Sequence, residues 1–394
     1  MPGIASPLEG VKVLDFTQGV SGPLATKFMG AMGANVIKVE PPGVGDLARS
    51  HPPFLNDEPH PEKSGKFLYL NTNKRSITLD VEQPAARHIA RKLVAWADVV
   101  IENYAPGQMA EWGLGYGDLE AIRPGIILVS VSRFGQTGPY RDFKGNEIVS
   151  QALGGLLYFT GDPSREPLRI GGEPAEHFAG LSAFSGALVA LTYAEVTGTG
   201  QHVDVSEVEG VATAQMYSAL SYVYTGAGRE RSAQGPLYRA EDGLVGVGFR
   251  QPEWVTLANM MGRPELIEDE RFKDIPSRRT NNDQLAPIIG EWIAPQKKQD
   301  LYHKAQQAGM TWGYICDTKD LMDSPQYQHR QYFIEIDHPV AGKLTYPGMP
   351  LKWGDATWDI RRAPLLGEHN GEVYGELLGW STEDVVQMRA SGVI

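Results

Sequence analysis

The chain has 394 residues, of which 42% are hydrophobic and 21% are charged, a composition typical of a globular protein with more than one domain. Its formal net charge of -12, without any block of lysine and arginine, argues against nucleic-acid binding. Cys316 is the only cysteine, which excludes an internal disulfide and a cluster of thiolate metal ligands.

The sequence gives no sign of a membrane or secretory protein. No apolar run reaches the roughly eighteen residues of a membrane span, and the N-terminal "MPGIASPLEG" lacks the basic-then-apolar pattern of a signal peptide. A lone cysteine fits a reducing compartment, so we predict a cytoplasmic protein with neither membrane nor nucleic acid as partner. For Cys316 itself, a buried and unreactive thiol is favoured over a reactive one.

The first half of the chain alternates between strand and helix patterns. "VKVLDFT" (residues 11–17), "NVIKVE" (35–40), "DVVIEN" (98–103) and "GIILVSVSRF" (125–134) predict strands, and "LATKFMGAMG" and "AARHIARKLVAWA" between them have helical spacing. "GYGDLEAIRP" predicts a short helix that ends at Pro124. This alternation is typical of a parallel, doubly wound α/β domain.

The second half changes character twice. After Glu176 a long helix rich in alanine, glycine and serine is predicted, then the strand "QHVDVSE" (201–207) and a single long helix, "VEGVATAQMYSALSYVYTG". We predict a large domain over residues 1–200, a linker helix over 201–225 and a small mixed domain over 226–323. Residues 324–394 would return to the large domain through "RQYFIEIDHPVAGKLTYPGMPLKW", read as strands and turns, and a final helix, "STEDVVQMRASGVI".

Candidate binding residues lie in two loops. In "QGVSGP", between a strand and a helix, the backbone N–H groups of Val20 and Ser21 are placed to meet a phosphate, with an ordinary turn as the alternative. Lys74 and Arg75 are adjacent cations before a predicted strand. Their pattern is equally consistent with phosphate binding and with a solvent-exposed loop. G-x-G-x-x-G, G-x-S-x-G, H-E-x-x-H and Walker A motifs are absent from the sequence, so no metal site is predicted.

"GGEPAEHFAGL" (residues 171–181) places a carboxylate and an imidazole, Glu176 and His177, at the start of the long helix. An acidic residue in the first turn of a helix stabilises the helix dipole, and this structural role is the simplest explanation of Glu176. A catalytic carboxylate is the second explanation, and the residues alone leave both open.

Several segments, in order over nearly the whole chain, resemble a single protein family: "PLEGVKVLDFT", "GPLATKFMGAMGANVIKVEPPGVGDLAR", "LNTNKRSITLD", "ADVVIENYAPG", "GQTGPYRD", "GTGQHVDVSE", "DERFKDIPSRRTNNDQL" and "GEHNGEVYGELLGWSTEDVVQMRASGVI". The family is that of the family III CoA-transferases, such as formyl-CoA, carnitine and benzylsuccinate CoA-transferases, with α-methylacyl-CoA racemases among its relatives. The resemblance implies a Rossmann-like large domain plus a smaller α/β domain, and an open-ring chain in an interlocked dimer.

The resemblance also implies covalent chemistry on coenzyme A as a substrate, with no permanently bound cofactor. An active-site aspartate attacks the acyl-CoA thioester, and the CoA thiolate then attacks the resulting anhydride to leave an enzyme–CoA thioester. A carboxylic acid accepts the CoA through the reverse steps. In "AEHFAG", Glu176 stands where the family has this aspartate, and Val20, Ser21, Lys74, Arg75, Asn103, Tyr104 and Lys144 are the predicted CoA contacts.

Several positions depart from the family pattern. Ala105 and Glu111 stand where the family has arginines, and Glu176 adds one methylene to the expected aspartate. Asn146 replaces the histidine that the racemases use, and an amide does not transfer protons near neutral pH, so a racemase is not expected.

Three functional hypotheses remain. The first is one chain of a CoA-transferase heteromer, in the manner of benzylsuccinate CoA-transferase, with an altered or non-catalytic site and an acyl-CoA donor for which succinyl-CoA is the candidate. The second is a self-sufficient homodimeric CoA-transferase with Glu176 as nucleophile. The third is a CoA-binding scaffold without catalysis.

Overall fold

The computed structural model describes residues 6–228, 230–231, 237–352, 354 and 358–394. Half of the N-terminal stretch used to argue against a signal peptide, residues 1–5, lies outside the described residues, as does Trp353 at the end of the predicted strand-and-turn segment. Two compact units make up the chain. The first comprises the described parts of Met1–Thr160, Pro167–Glu230 and His329–Ile394, and the second those of Gly161–Glu166 and Arg231–Gln328.

A six-stranded parallel sheet organises the first unit, in the order β3-β2-β1-β4-β5-β6. Its strands are β1 (Lys12–Asp15), β2 (Asn35–Glu40), β3 (Lys74–Thr78), β4 (Val99–Glu102), β5 (Ile127–Ser132) and β6 (His202–Ser206). The central strands β4 (VVIE) and β5 (ILVSVS) are buried along their whole length because both faces of the sheet are covered, whereas the edge strands β3 (KRSIT) and β6 (HVDVS) are more polar. The predicted α/β, Rossmann-like fold class is confirmed.

The helices of this unit up to residue 225 are α1 (Ser21–Ala31), α2 (Gly65–Leu70), α3 (Pro84–Val94), α4 (Gln108–Glu111), α5 (Tyr116–Ile122), α6 (Glu147–Leu153), α7 (Pro174–Thr197), α8 (Glu207–Ala214) and α9 (Met216–Thr225). Residues of α1 and α7 share one buried apolar cluster with the sheet, and residues of α3 and α5 share the cluster on its other face. Short 3₁₀ turns occur at Leu47–Ser50, Leu55–Asp57 and Leu157–Phe159.

The second unit is a small sheet with helices. It contains β7 (Leu237–Ala240), β8 (Gly243–Gly246), α10 (Gln251–Met260), α11 (Ile275–Thr280), α12 (Asn282–Ile293), α13 (Lys298–Gln307), β9 (Gly313–Tyr314), α14 (Thr318–Asp323) and α15 (Pro325–His329), with a 3₁₀ turn at Pro264–Leu266. The three strands pair in the order β7-β8-β9 around a separate apolar core. The small domain expected over residues 226–323 stays a prediction; the second unit also includes Gly161–Glu166, which the sequence analysis assigned to the large domain.

The C-terminal part rejoins the first unit. β10 (Phe333–His338) and β11 (Gly342–Pro347) form an antiparallel hairpin, and α16 (Asn370–Leu378) and α17 (Thr382–Ala390) follow. Val373 and Tyr374 of α16, with the terminal Val393 and Ile394, are buried in the apolar cluster beside α3. Ser381 caps α17 by accepting a hydrogen bond from the backbone N–H of Asp384, as an S-x-E-D start favours.

Two local predictions are wrong. The long helix expected after residue 207 is interrupted at Gln215, whose φ of -103° and ψ of 16° separate α8 from α9. No glycine or proline marks this break, so the local sequence holds no signal for it. Cys316 is exposed rather than buried, because it lies just after β9 at the surface of the second unit.

One helix of the described residues, α7, is long and apolar enough to cross a membrane by length and composition alone. The core helix of a soluble protein passes the same test, so this is weak evidence. Small residues of α7, including Ala179, Ala183 and Ala187, are fully buried in the cluster between α1 and the sheet. The prediction that no membrane is a partner stays a prediction.

Candidate active site

Glu176 lies in the first turn of α7, where a second carboxylate caps the helix. The N–H groups of a first helical turn have no partner within the helix. Here Ala175 N donates to Glu147 Oε1 at 3.0 Å and Glu176 N donates to Glu147 Oε2 at 3.2 Å. Glu147 is buried at the start of α6. The side chain of Glu147 therefore accepts the hydrogen bonds of the helix start, while Glu176 lies in the first turn as the helix-dipole explanation expects and its side chain is free to contact another residue.

The carboxylate of Glu176 is bound to Arg133, the residue directly after β5. Arg133 Nη2 donates to Glu176 Oε1 at 2.9 Å, and Nη1 donates to both carboxylate oxygens of Glu207. Glu207 follows β6, and its side chain is 3% exposed, against 16% for Glu176. Burial raises the pKa of Glu207 against the opposing effect of Arg133. One guanidinium thus joins a deeply buried carboxylate to a more accessible one.

Glu176, Arg133 and Glu207 line a cavity of about 760 Å³ in the first unit. This volume suits a cofactor-sized ligand. The cavity lies at the carboxyl ends of β1, β4 and β5, where the strand order reverses direction and such folds bind their ligands. It brings together six of the predicted site residues, namely Val20, Ser21, Asn103, Tyr104, Lys144 and Glu176.

Asn103 holds the loop between β1 and α1. Its Oδ1 accepts a hydrogen bond from Gln18 N at 2.8 Å, and its Nδ2 donates to Gln18 O at 2.7 Å. The next N–H, of Gly19, donates to the buried carboxylate of Asp46 at 2.9 Å. Gly19 has a φ of 77°, which a residue with a side chain rarely adopts. The side chain of Asn103 therefore positions the wall of the cavity.

Lys74 and Arg75 do not line this cavity. The ammonium of Lys74 is fully buried and donates to Asp15, the Pro23 carbonyl and Asn71, at 3.0, 3.0 and 2.8 Å. Arg75 pairs with Glu372 and Glu376 of α16. Both residues begin β3, at the opposite end of that strand from the carboxyl edge, and both line a second cavity of about 740 Å³.

Other cations, which sequence reasoning missed, line the first cavity. They include Lys66, which pairs with Glu173 at 2.7 Å, and Arg141. Arg141 Nη2 lies 2.8 Å from the point where a Cβ on Gly107 would be. Gly107 follows Ala105 by two residues, so Arg141 brings a guanidinium to the loop where the family pattern has an arginine.

A smaller cavity of about 340 Å³ adjoins the first at Gln18 and Tyr104, which line both. Its other walls come from the segments after β2 and β3, including Pro41 and Val81. Together the two cavities follow the carboxyl edge of the sheet across β2, β1, β4 and β5. An elongated ligand is the natural occupant of such a groove.

Two further residues from the sequence analysis have structural partners. Asn146 caps α6, since its Oδ1 accepts a hydrogen bond from Val149 N at 3.3 Å. A ring nitrogen of His177 lies 2.8 Å from the Glu173 carbonyl. Among the described residues, no group of three or more His, Cys, Asp or Glu side chains is placed to hold a metal ion.

A strand-end rule could have identified Arg133 and Glu207 from the sequence. β5 and β6 pair in parallel with Ser132 opposite Ser206, and Arg133 and Glu207 are the next residues of each strand. Charged side chains that directly follow neighbouring parallel strands meet at one edge of the sheet. Glu147, Lys66 and Arg141 lie in loops or short helices and carry no comparable signal.

The fold agrees with comparisons to known proteins. A profile of CoA-transferase family III matches residues 8–370, so the chain belongs to that family. It is 35% identical to succinyl-CoA–D-citramalate CoA-transferase of Chloroflexus aurantiacus, over 98% of each chain. It is 32% identical to human succinyl-CoA:glutarate CoA-transferase, over 98% of this chain and 90% of that one.

A third relative is formyl-CoA:oxalate CoA-transferase of Streptomyces avermitilis, 32% identical over 98% of this chain and 99% of that one. Among solved structures, a CAIB/BAIF family protein from Brucella suis matches with a TM-score of 0.86 at 32% identity, covering 95% of this chain and all of that one. The protein is therefore a family III CoA-transferase, and CoA thioesters are its substrates.

Proposed function

We propose that this chain is a catalyst in its own right and transfers CoA from succinyl-CoA to a second dicarboxylic acid, with Glu176 as the nucleophile. The observation that carries the proposal is the position of the Glu176 carboxylate, which lines the cavity and is hydrogen-bonded to Arg133. The donor class is supported by two relatives named for succinyl-CoA. D-citramalate, glutarate and oxalate, the acceptors in the relatives' names, are all dicarboxylates.

The proposed reaction has two halves. One Oε of Glu176 attacks the thioester carbonyl, the C–S bond breaks and the CoA thiolate leaves, which produces a mixed anhydride. The thiolate then attacks the Cδ of Glu176, and the succinate carboxylate departs with the electron pair. The acceptor acid repeats these steps in reverse. The Glu176 carboxylate is paired with the Arg133 guanidinium, so no base is needed to activate it.

We place CoA along the carboxyl edge of the sheet, with the thioester in the larger cavity and the adenosine end toward the smaller one. Val20, Ser21, Asn103, Tyr104 and Lys144 are the proposed contacts of the larger cavity. Lys66 and Arg141 add positive charge there. This charge suits phosphates and the second carboxylate of a diacid. For Lys74 and Arg75, the contact with CoA stays a prediction from the family resemblance.

The heteromer hypothesis rested on the altered residues at 105, 111 and 176. Arg141 beside Gly107 supplies a cation near the first of these positions, and the Glu176 carboxylate has an ordered ionic partner. These observations favour the self-sufficient enzyme over a non-catalytic subunit. A homodimer in the cytoplasm stays a prediction from the family resemblance and the composition. The scaffold hypothesis predicts saturable CoA binding without any covalent step.

Intact-protein mass spectrometry after mixing with succinyl-CoA tests the nucleophile. We expect a CoA-sized adduct on Glu176 and none in Glu176→Gln. Glu176→Asp shortens the side chain in a site built for glutamate, and a displacement of about 1 Å reduces the rate roughly 100-fold.

Glu195→Gln, at the exposed far end of the same helix, is the matched control and should form the adduct at the wild-type rate. A folded wild-type chain that binds CoA but never carries an adduct would refute the proposal and favour the scaffold. An adduct that appears only when a homologous chain is added would favour the heteromer.

A further inference from the structure

Arg133 uses its two terminal nitrogens for two unlike partners. Nη1 is held by both oxygens of Glu207, whose side chain is almost fully buried at the start of α8. The backbone reinforces this connection, since Val208 N donates to Arg133 O at 3.1 Å. Nη2 binds Oε1 of Glu176, on the accessible side. One side of the guanidinium is therefore fixed, and the other faces the reacting group.

We propose that Arg133 binds the substrate carboxylates in turn: its Nη2 releases Glu176 when that side chain becomes acylated and then holds the departing and the accepting acid. The proposal rests on the proposed role of Glu176 and adds a residue that selects carboxylates as acceptors.

The charge balance of the reaction requires such an exchange. Glu176 is an anion at rest and becomes an uncharged acyl group in the anhydride and in the thioester. Nη2 then loses its ionic partner, while Glu207 still occupies Nη1. A partly buried donor left without a partner is unfavourable, so Nη2 favours whichever anion is next available.

That anion forms at the same place. When the CoA thiolate attacks Cδ of Glu176, the bond from Cδ to the bridging oxygen breaks, and the acid leaves with that oxygen and the electron pair. The bridging oxygen was one of the two carboxylate oxygens of Glu176, and Nη2 lies 2.9 Å from Oε1 at rest. The new carboxylate is thus released beside Nη2. The acceptor acid attacks by the reverse path, so it binds at the same point.

The geometry favours a carboxylate over other nucleophiles. A guanidinium presents planar donors that match a carboxylate, and charge-assisted hydrogen bonds of this kind are about twice as strong as neutral ones. Water, alcohols and amines gain no ion pair with Nη2. Arg133 therefore accelerates the attack of carboxylates on the thioester but not the attack of water. Transfer to an acid is thus favoured over hydrolysis.

The test compares two nucleophiles on the isolated enzyme–CoA thioester. Wild-type protein is loaded with succinyl-CoA, freed of small molecules, and treated with succinate or with hydroxylamine. Succinate restores free Glu176 and succinyl-CoA. Hydroxylamine forms a C–N bond to Cδ, expels CoA as the thiol and leaves a hydroxamate on Glu176. Intact-mass measurement follows both reactions in a single turnover.

Arg133→Gln/Glu207→Gln is the main variant because it removes both charges of the Arg133–Glu207 pair and leaves no unpaired carboxylate at the deeply buried position 207. We expect its discharge by succinate to slow about 10- to 100-fold and its discharge by hydroxylamine to change by less than about 3-fold. Arg133→Lys keeps a positive charge beside Glu207 but lacks the planar guanidinium. Its ratio of succinate to hydroxylamine discharge rates should lie between those of the wild type and the double variant. Both variants are incubated with succinyl-CoA for longer than the wild type, because the departure of succinate from the anhydride is expected to slow as well.

If both variants keep the wild-type ratio of succinate to hydroxylamine rates, the proposal for Arg133 is wrong, while the thioester on Glu176 is unaffected. Equal losses with succinate and hydroxylamine would also overturn it, since Arg133 would then be a merely structural residue. A wild-type protein that forms no thioester would refute the proposed function itself, and this inference with it.

Discussion

At the scale of single residues, burial and pairing decide what each acidic side chain of the sheet edge can do. Glu147 is used as a helix cap, Glu207 as a fixed partner of Arg133, and Glu176 is left facing the cavity. Glu102, at the end of β4, is different again, because it is buried and, within the part of the chain that the structure describes, no ion pair includes it. It accepts a hydrogen bond from Tyr104 N at 2.7 Å, and burial raises its pKa to about 7.

The raised pKa of Glu102 predicts a pH dependence of stability. Between about pH 4.5 and pH 7 the folded protein keeps the proton on Glu102 while the unfolded chain has lost it, so the free energy of unfolding falls as the pH rises through this range. Glu102→Gln removes this contribution. We expect the variant to gain on the order of 2–3 kcal/mol relative to wild type between pH 5 and pH 8.

Denaturant unfolding of both proteins at the two pH values measures this gain. Glu195→Gln, a substitution at an exposed position, should have the same free energy of unfolding as the wild type at both pH values. An identical pH dependence in wild type and Glu102→Gln would show that Glu102 is charged in the folded protein at pH 5.

At the scale of elements, the contact of α1 with α7 positions the cavity. Gly180 of α7 faces Ser21 at the start of α1, and a Cβ on Gly180 would lie 2.6 Å from the Ser21 carbonyl oxygen. Ala179 and Ala183 are fully buried in the same contact. Small residues therefore bring together the helix that carries Glu176 and the loop that carries Val20 and Ser21.

Gly180→Ala should push these two helices apart. Overpacking of this kind reduces stability by about 1–3 kcal/mol, and the shift of Ser21 should also raise the KM for acyl-CoA. Gly117→Ala is the control, since its new Cβ meets no atom within 4 Å in α5, and it should leave KM unchanged and stability equal or up to about 1 kcal/mol higher. If Gly180→Ala is clearly destabilised but its KM is unchanged, the packing of α7 against α1 does not control the binding of CoA.

At the scale of the whole molecule, α9 leaves apolar side chains uncovered on the first unit. Tyr217, Val223 and Tyr224 of this one helix are 71%, 76% and 84% exposed. Several large apolar side chains exposed on a single helix are typical of an association site. The expected homodimer, which the family resemblance implies, would cover this surface.

Sedimentation velocity tests the association. We expect wild type to sediment as a dimer at micromolar concentration and Val223→Glu/Tyr224→Glu to sediment as a monomer, because each charge would be buried unpaired in the interface. Val386→Glu, at a separate exposed position on α17, should remain dimeric. A monomeric wild type would contradict the homodimer and favour the heteromer hypothesis.

The amino-acid sequence by itself was sufficient for the order and type of most elements. β2 spans the predicted residues 35–40, and β1, β4, β5 and β6 lie within their predicted strands, because period and turn residues are local properties. The interruption at Gln215 was not predictable, since neither neighbour in the chain requires it. The alternation of strands and helices predicted a parallel, doubly wound domain, whereas the order β3-β2-β1-β4-β5-β6 was not predicted and is seen only in the structure.

Only the tertiary structure decided which charges meet. Arg133 and Glu176 are 43 residues apart, Arg133 and Glu207 are 74 apart, and Lys74 reaches Asp15 across 59 residues. Lys74, which looked like a phosphate ligand beside Arg75, is fully enclosed by such a long-range pair, whereas Arg141 reaches the loop near Ala105. Sequence patterns report which residues share a face of one element. The partner of a buried charge depends on how several elements pack, because desolvation is offset only where an opposite charge or a hydrogen-bonding group is brought into contact.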